Sequence, residues 1–128
     1  MRRRLISSGS EYEARYGYSR AVVVGDRVWV AGCAPLMPGG DAPPPDAYDQ
    51  TVRCLDIAEA ALREAGGDIA DVVRSRVYVV HRSDMPEVGR ALGERFAAVR
   101  PANTTVVAEL LDPAWLVEVE LEAVLGSG

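Results

Sequence analysis

Three glutamates at alternate positions, Glu118, Glu120 and Glu122, are the side chains best spaced for acid–base chemistry. Residues two apart on a strand share a face, so the three carboxylates form one stripe. Such a stripe is ordinarily a solvated face. It gains chemistry where burial raises one carboxyl group toward a pKa usable for proton transfer. Cys33 and Cys54 are the two thiols and His81 the single imidazole. Cys33 invites a nucleophile reading, but no histidine lies near it in sequence to activate it, and unpaired cysteines commonly pack as small apolar groups. His81, alone, reads as a surface or packing residue. Closed zinc sites take about four clustered Cys or His ligands, so no metal is expected. All fourteen basic residues are arginine, which excludes lysine Schiff bases, covalent pyridoxal phosphate and a P-loop lysine.

The elements that would position these groups follow from local pattern. Two β-rich runs, Tyr18 to Val24 and Arg27 to Ala31, flank Gly25-Asp26, a hairpin signal because glycine accepts the positive φ of tight turns. On a regular strand Arg20 would share a face with Tyr18. Pro35 to Pro45, crowded with proline and glycine, reads as a loop. Tyr48, Val52, Leu55, Ala58, Leu62 and Ala65 form one helical stripe within Asp46 to Ala65, ended by Gly66-Gly67. Val72 to His81 reads as a strand. Asp84 and Glu87 suggest a capping box before a second helix with the stripe Val88, Leu92, Phe96 and Val99, which closes before Pro101. Strands from Thr104 to Leu110 and from Trp115 to Leu125 finish the chain.

Two helices with one apolar stripe each belong on one face of a sheet of five or six strands, an α+β arrangement. The other face then carries Trp29 and the Val22/Val24 set, a reason to expect a subunit interface; Trp29 and Trp115 read as packing or interface anchors. At 128 residues and 48% apolar content, residues 1–128 suit one domain. No export signal and no stretch of about 20 apolar residues is present, so a cytoplasmic protein is expected, with both cysteines reduced. A net charge of −5 disfavours a surface that tracks nucleic-acid phosphates.

Four segments in order, Gly17-Tyr18-Ser19, Val28 to Pro35, Pro101-Ala102-Asn103-Thr104-Thr105 and Val117-Glu118-Val119-Glu120, resemble the RidA/YjgF (Rid) family across nearly the whole chain. The resemblance implies a chorismate-mutase-like fold, a mixed six-stranded sheet with two helices on one face. It also implies a homotrimer with three clefts, each lined by two neighbouring chains, and no cofactor. Deaminating members hydrolyse 2-imino acids and their 2-aminoacrylate tautomers to 2-keto acids. By resemblance Tyr18 is a pocket tyrosine, Gly32 the pocket glycine, and Glu118 the acid that handles the attacking water. Asn103 stands where the family has the arginine that clamps a substrate carboxylate, and Ala31 where serine is common. Cys33 follows the pocket glycine, and Thr105 adds a hydroxyl on the strand face of Asn103.

An amide brings donor and acceptor without charge, whereas a bidentate arginine–carboxylate pair is about twice as strong as a neutral hydrogen bond. The expectation is therefore an enzyme acting on an imine, enamine or carbonyl intermediate, with weak or no standard 2-aminoacrylate deamination. Arg20 is a candidate displaced cation. A non-catalytic trimeric metabolite binder is the competing expectation, and ribonuclease activity is disfavoured by charge.

Overall fold

A computed structural model describes residues 2–128; Met1, which opens the arginine-rich start, lies outside the described residues. In chain order the elements are β1 (Arg3–Ile6), α1 (Glu11–Tyr16), β2 (Ala21–Val24), β3 (Arg27–Cys33), α2 (Ala47–Glu64), β4 (Val72–Val79), α3 (Met85–Phe96), β5 (Ala102–Val107) and β6 (Val117–Val124). The six strands make one mixed sheet in the order β1-β2-β3-β6-β4-β5. Only β4 and β5, joined through α3, run parallel.

Alternation decides which face is buried. In β6 Val117, Val119, Leu121 and Ala123 are at most 2% exposed, and α2 lies over β6 and β3 and against α3. Leu55, Ala58 and Leu62 of α2 and Val88 of α3 complete this core. The expected stripe of α2 is shifted at its start. Ala47, Gln50, Thr51 and Cys54 turn inward, while Tyr48 leaves the core to form a clasp on α3, its hydroxyl bonding Glu94 and its ring lying under Arg90. Gln50, 1% exposed, donates to Pro44 O and Ala114 O and accepts from the Leu116 amide. One buried amide thus ties the proline-rich loop and the approach to β6 onto α2, satisfying backbone groups that no ladder reaches.

Three expectations are corrected, and two elements carry no sequence expectation. The first run does not start at Tyr18, because α1 ends there: Gly17 takes a left-handed φ of 73°, and Gly17 and Tyr18 both donate to Glu13 O. Tyr18 and Arg20 are therefore not alternate residues of one strand. The β2–β3 turn is as expected, with Val24 paired to Arg27 across Gly25-Asp26 and Gly25 at φ 60°. The capping box at Asp84 does not form, since Asp84 is helical at φ −82° and ψ −8° and its side chain makes no cap bond; a single 3-10 turn over Arg82–Asp84 runs straight into α3. Finally, β1 and α1 belong to no apolar pattern. The edge strand starts with arginines, and α1 has six residues held by the Ser10 cap and by Glu13, which accepts from Ser8 Oγ at 2.5 Å.

Candidate functional site

The sheet face away from α2 and α3 is where the glutamate stripe lies, and its three members have different surroundings. Glu122 takes Arg76 at 2.8 Å, and Glu120 takes the Tyr78 hydroxyl with Arg76 at 3.8 Å. Glu118 faces Tyr78 in the register with β4 but has no hydrogen-bond or ion-pair partner among the described residues. Burial raises its pKa above 4.5, the nearby positive charge of Arg20 opposing and the charge of Glu120 adding. A half-buried carboxyl group without partners that holds a proton more tightly than usual is the kind of group that general acid–base catalysis uses.

Its seat is made by a bulge. Between Val30↔Leu121 and Cys33↔Val119 the β3–β6 register slips, setting Ala31 and Gly32 against one residue of β6. A Cβ on Gly32 would collide with Glu118 Oε2, so the carboxyl group occupies space that exists because residue 32 has no side chain. Arg20 reaches the same place from the other side. Its Nη2 donates to Gly32 O at 2.5 Å, and its Nε is buried with no partner. Tyr18, 44% exposed, lies further along this face. With Leu5, Val22, Trp29, Ala31 and Glu120 it lines a cleft of about 550 Å³ bordered by α1.

Cys33 is a correction. Its side chain is on the helix side, 0% exposed, with Sγ at 3.3 Å from Ala31 O. Burial pushes its thiol up to about 11, Arg20 opposing and Glu118 adding. Its side chain packs in the core. Cys54, also 0% exposed, is pushed up by burial as well. His81 is exposed beyond the end of β4.

Asn103 and Thr105 are also on the helix side. They pair in register with Ser75 and Val77, which face the core. Asn103 Nδ2 donates to Ser75 Oγ at 2.9 Å, and its Oδ1 accepts from Thr105 Oγ1 at 2.9 Å. One amide N–H is left for a ligand. The amide borders a cavity of about 520 Å³ between α3 and β5, floored by Leu92 and Phe96. Within one chain Asn103 and Glu118 therefore stand on opposite faces of the sheet. Arg20, Gly32 and Glu118 come together; Asn103, Thr105 and Ser75 form a separate group. Pattern reading missed Ser75, Leu92 and Phe96 as cavity walls. The signal for Ser75 was available, a polar residue on the apolar face of Val72 to Val79.

The family model described as Endoribonuclease L-PSP matches residues 8–125. The chain belongs to the Rid (YjgF/YER057c/UK114) family. An uncharacterized protein of Streptomyces coelicolor is 41% identical over 128 residues, covering 97% of this chain and 93% of that protein. A 3-aminoacrylate deaminase, RutC of Acinetobacter baylyi, is 30% identical over 103 residues, covering 80% of this chain and 82% of its own. Among solved structures, Rv2704 of Mycobacterium tuberculosis, a YjgF/YER057c/UK114 member, superposes with a TM-score of 0.88 at 40% identity, covering 97% of this chain and all of that one. The six-stranded mixed sheet with helices packed on it is thus the Rid fold.

Proposed function

We propose that this Rid protein is a cofactor-independent enzyme that moves protons or positions water on a small imine, enamine or carbonyl compound. Its site is a cleft between subunits of a homotrimer. One protomer supplies Glu118, Arg20, Gly32, Ala31 and Tyr18, and a neighbour supplies Asn103 and Thr105, because a single chain keeps these two groups on opposite sheet faces. The observation that carries the reading is Glu118 itself, half-buried, without a hydrogen-bond or ion-pair partner among the described residues, and seated where a Cβ on residue 32 would collide with it. The likeness to a relative named 3-aminoacrylate deaminase supports chemistry on a small nitrogenous intermediate. The name of the family model suggests RNA cleavage, but a net charge of −5 without lysine argues against phosphate tracking.

Asn103 gives this chain a substrate preference unlike that of an arginine-bearing deaminase. Its amide is engaged on both sides and carries no charge, so 2-iminopropionate should be hydrolysed slowly. Glu118→Gln is the test, with ligands found by a thermal-shift screen of imines, enamines and carbonyls. The variant should keep ligand affinity and lose turnover by about 10²- to 10⁴-fold, the usual share of general acid–base catalysis. Unchanged turnover would remove Glu118 from the mechanism; binding with no turnover in either protein would leave a metabolite binder.

A further inference from the structure

Arg20 holds both residues of the β3 bulge. Its carbonyl accepts from the Ala31 amide at 2.9 Å, and its Nη2 donates to Gly32 O at 2.5 Å. The β2–β3 ladder ends at Ala21↔Val30, so these two bonds fix the backbone where regular pairing stops. Glu118 meets the same glycine, its Oε2 filling the space a Cβ would take. A cation and a carboxyl group thus flank one residue, and neither has an ionic partner. No carboxylate is within ion-pair distance of Arg20 among the described residues, and its Nε–H is buried and unbonded. A buried donor on a charged group is costly to leave unpaired. Here it is left so beside a carboxyl group in the same state.

We propose that Arg20 is a positioning residue for Glu118, holding the bulge that seats the carboxyl group and pairing through Nε–H with the carboxylate whenever Glu118 is ionised. The inference rests on the reading of Glu118 as the acid–base group and adds how its two charge states are held. When Glu118 acts as an acid, its O–H bond breaks, the proton goes to the reacting nitrogen or oxygen, and the electron pair stays on the carboxylate. A turn of the side chain then brings an oxygen onto Arg20 Nε. When Glu118 acts as a base it takes a proton back and the contact opens. The guanidinium stays charged throughout, so it carries no proton in either step. The other titratable and charged groups nearby are engaged elsewhere. Glu120 of β6 takes the Tyr78 hydroxyl from β4 and lies near Arg76, and Glu13 of α1 is bound to Ser8. The thiols of Cys33 and Cys54 are buried and pushed up. Arg20 is left as the group that can meet the carboxylate.

Nuclear magnetic resonance of the full chain, labelled with carbon-13 and nitrogen-15, tests the pairing without a substrate. Across a pH titration the Glu118 carboxyl carbon and the Arg20 Nε–H should shift with one midpoint, and Glu118→Gln should abolish the Nε–H response. Arg20→Gln removes the charge and should raise the Glu118 midpoint by about one unit or more. Arg20→Lys keeps the charge and should bring most of that shift back. An Nε–H that ignores the Glu118 titration, or a midpoint unmoved in Arg20→Gln, overturns the proposal; the first result needs no variant at residue 20, so the test survives an Arg20→Gln chain that does not fold. Turnover of 2-iminopropionate, however slow, adds a second reading. The pH profile of Arg20→Gln should move to higher pH by the same shift with KM close to the parent's, whereas a raised KM on an unmoved profile would make Arg20 a substrate clamp and overturn the proposal. Full turnover in Glu118→Gln with co-titration intact would sink the catalytic reading alone. Lost turnover in Glu118→Gln without co-titration would sink only the part given to Arg20.

Discussion

Glu118, Glu120 and Glu122 alternate along one strand, each between two apolar residues, and differ most in what the fold places beside them. Arg76 and Tyr78 neutralise two of them, and Glu118 is left with the desolvation that raises its pKa. A carboxyl group whose folded pKa is raised stabilises the fold fully below its unfolded value, and that contribution is lost as pH rises through the folded one. In denaturant titrations the wild type and Glu118→Gln should therefore run parallel at acid pH and diverge above about 4.5, the variant gaining on the wild type as pH increases. Curves that stay parallel throughout would place Glu118 in water. Gly32→Ala examines the same seat by sterics. The group it displaces is the far end of a flexible side chain, so the stability cost should stay under about 1 kcal/mol. Turnover should fall about 10²-fold, the penalty for a misplaced reacting group. A large loss of stability with full activity would contradict this arrangement.

The elements show where local sequence suffices. α2 starts directly after Asp46, within one residue of the start its pattern predicts, and the Asp46 carboxylate at the N-cap accepts from the Asp49 amide at 3.0 Å. Asp46→Ala should cost about 1 kcal/mol in chemical denaturation. Asp84→Ala, before α3, should change stability by less than about 0.5 kcal/mol, because that side chain caps nothing. Equal losses would mean that both aspartates cap. The two sites look alike in sequence, and the difference lies in the backbone: a residue already helical at the N-cap position cannot fold its side chain back onto the first turn. β1 and α1 escaped pattern reading for a related reason. Four residues beginning with arginines and six without an apolar stripe carry too little periodicity, and they are fixed by pairing with β2 and by the Glu13–Ser8 contacts.

At the scale of the molecule, the face opposite α2 and α3 leaves Leu5 at 59% and Trp29 at 40% exposed, beside glutamates and arginines that pair with each other. An apolar patch of this kind on a sheet calls for a partner. The proposed trimer would cover it and would bring Asn103 of one protomer toward Glu118 of the next. Trp29→Glu should shift the sedimenting species from trimer to monomer and abolish turnover together. A wild-type chain that sediments as a monomer at micromolar concentration, or a monomeric variant with full activity, would dismantle the shared cleft.

Sequence alone determined the elements whose periodicity is long, the turn at Gly25-Asp26, the α+β class and, through four short segments, the family. Those features depend on contacts between near neighbours, or on a backbone freedom that one residue type supplies. Tertiary structure decided which glutamate is unpaired, that Cys33 faces the core, and that Asn103 and Glu118 occupy opposite faces of one sheet. Each of these depends on strand order, on a register slip between β3 and β6, and on what lies across the sheet, and residues distant in sequence set all three.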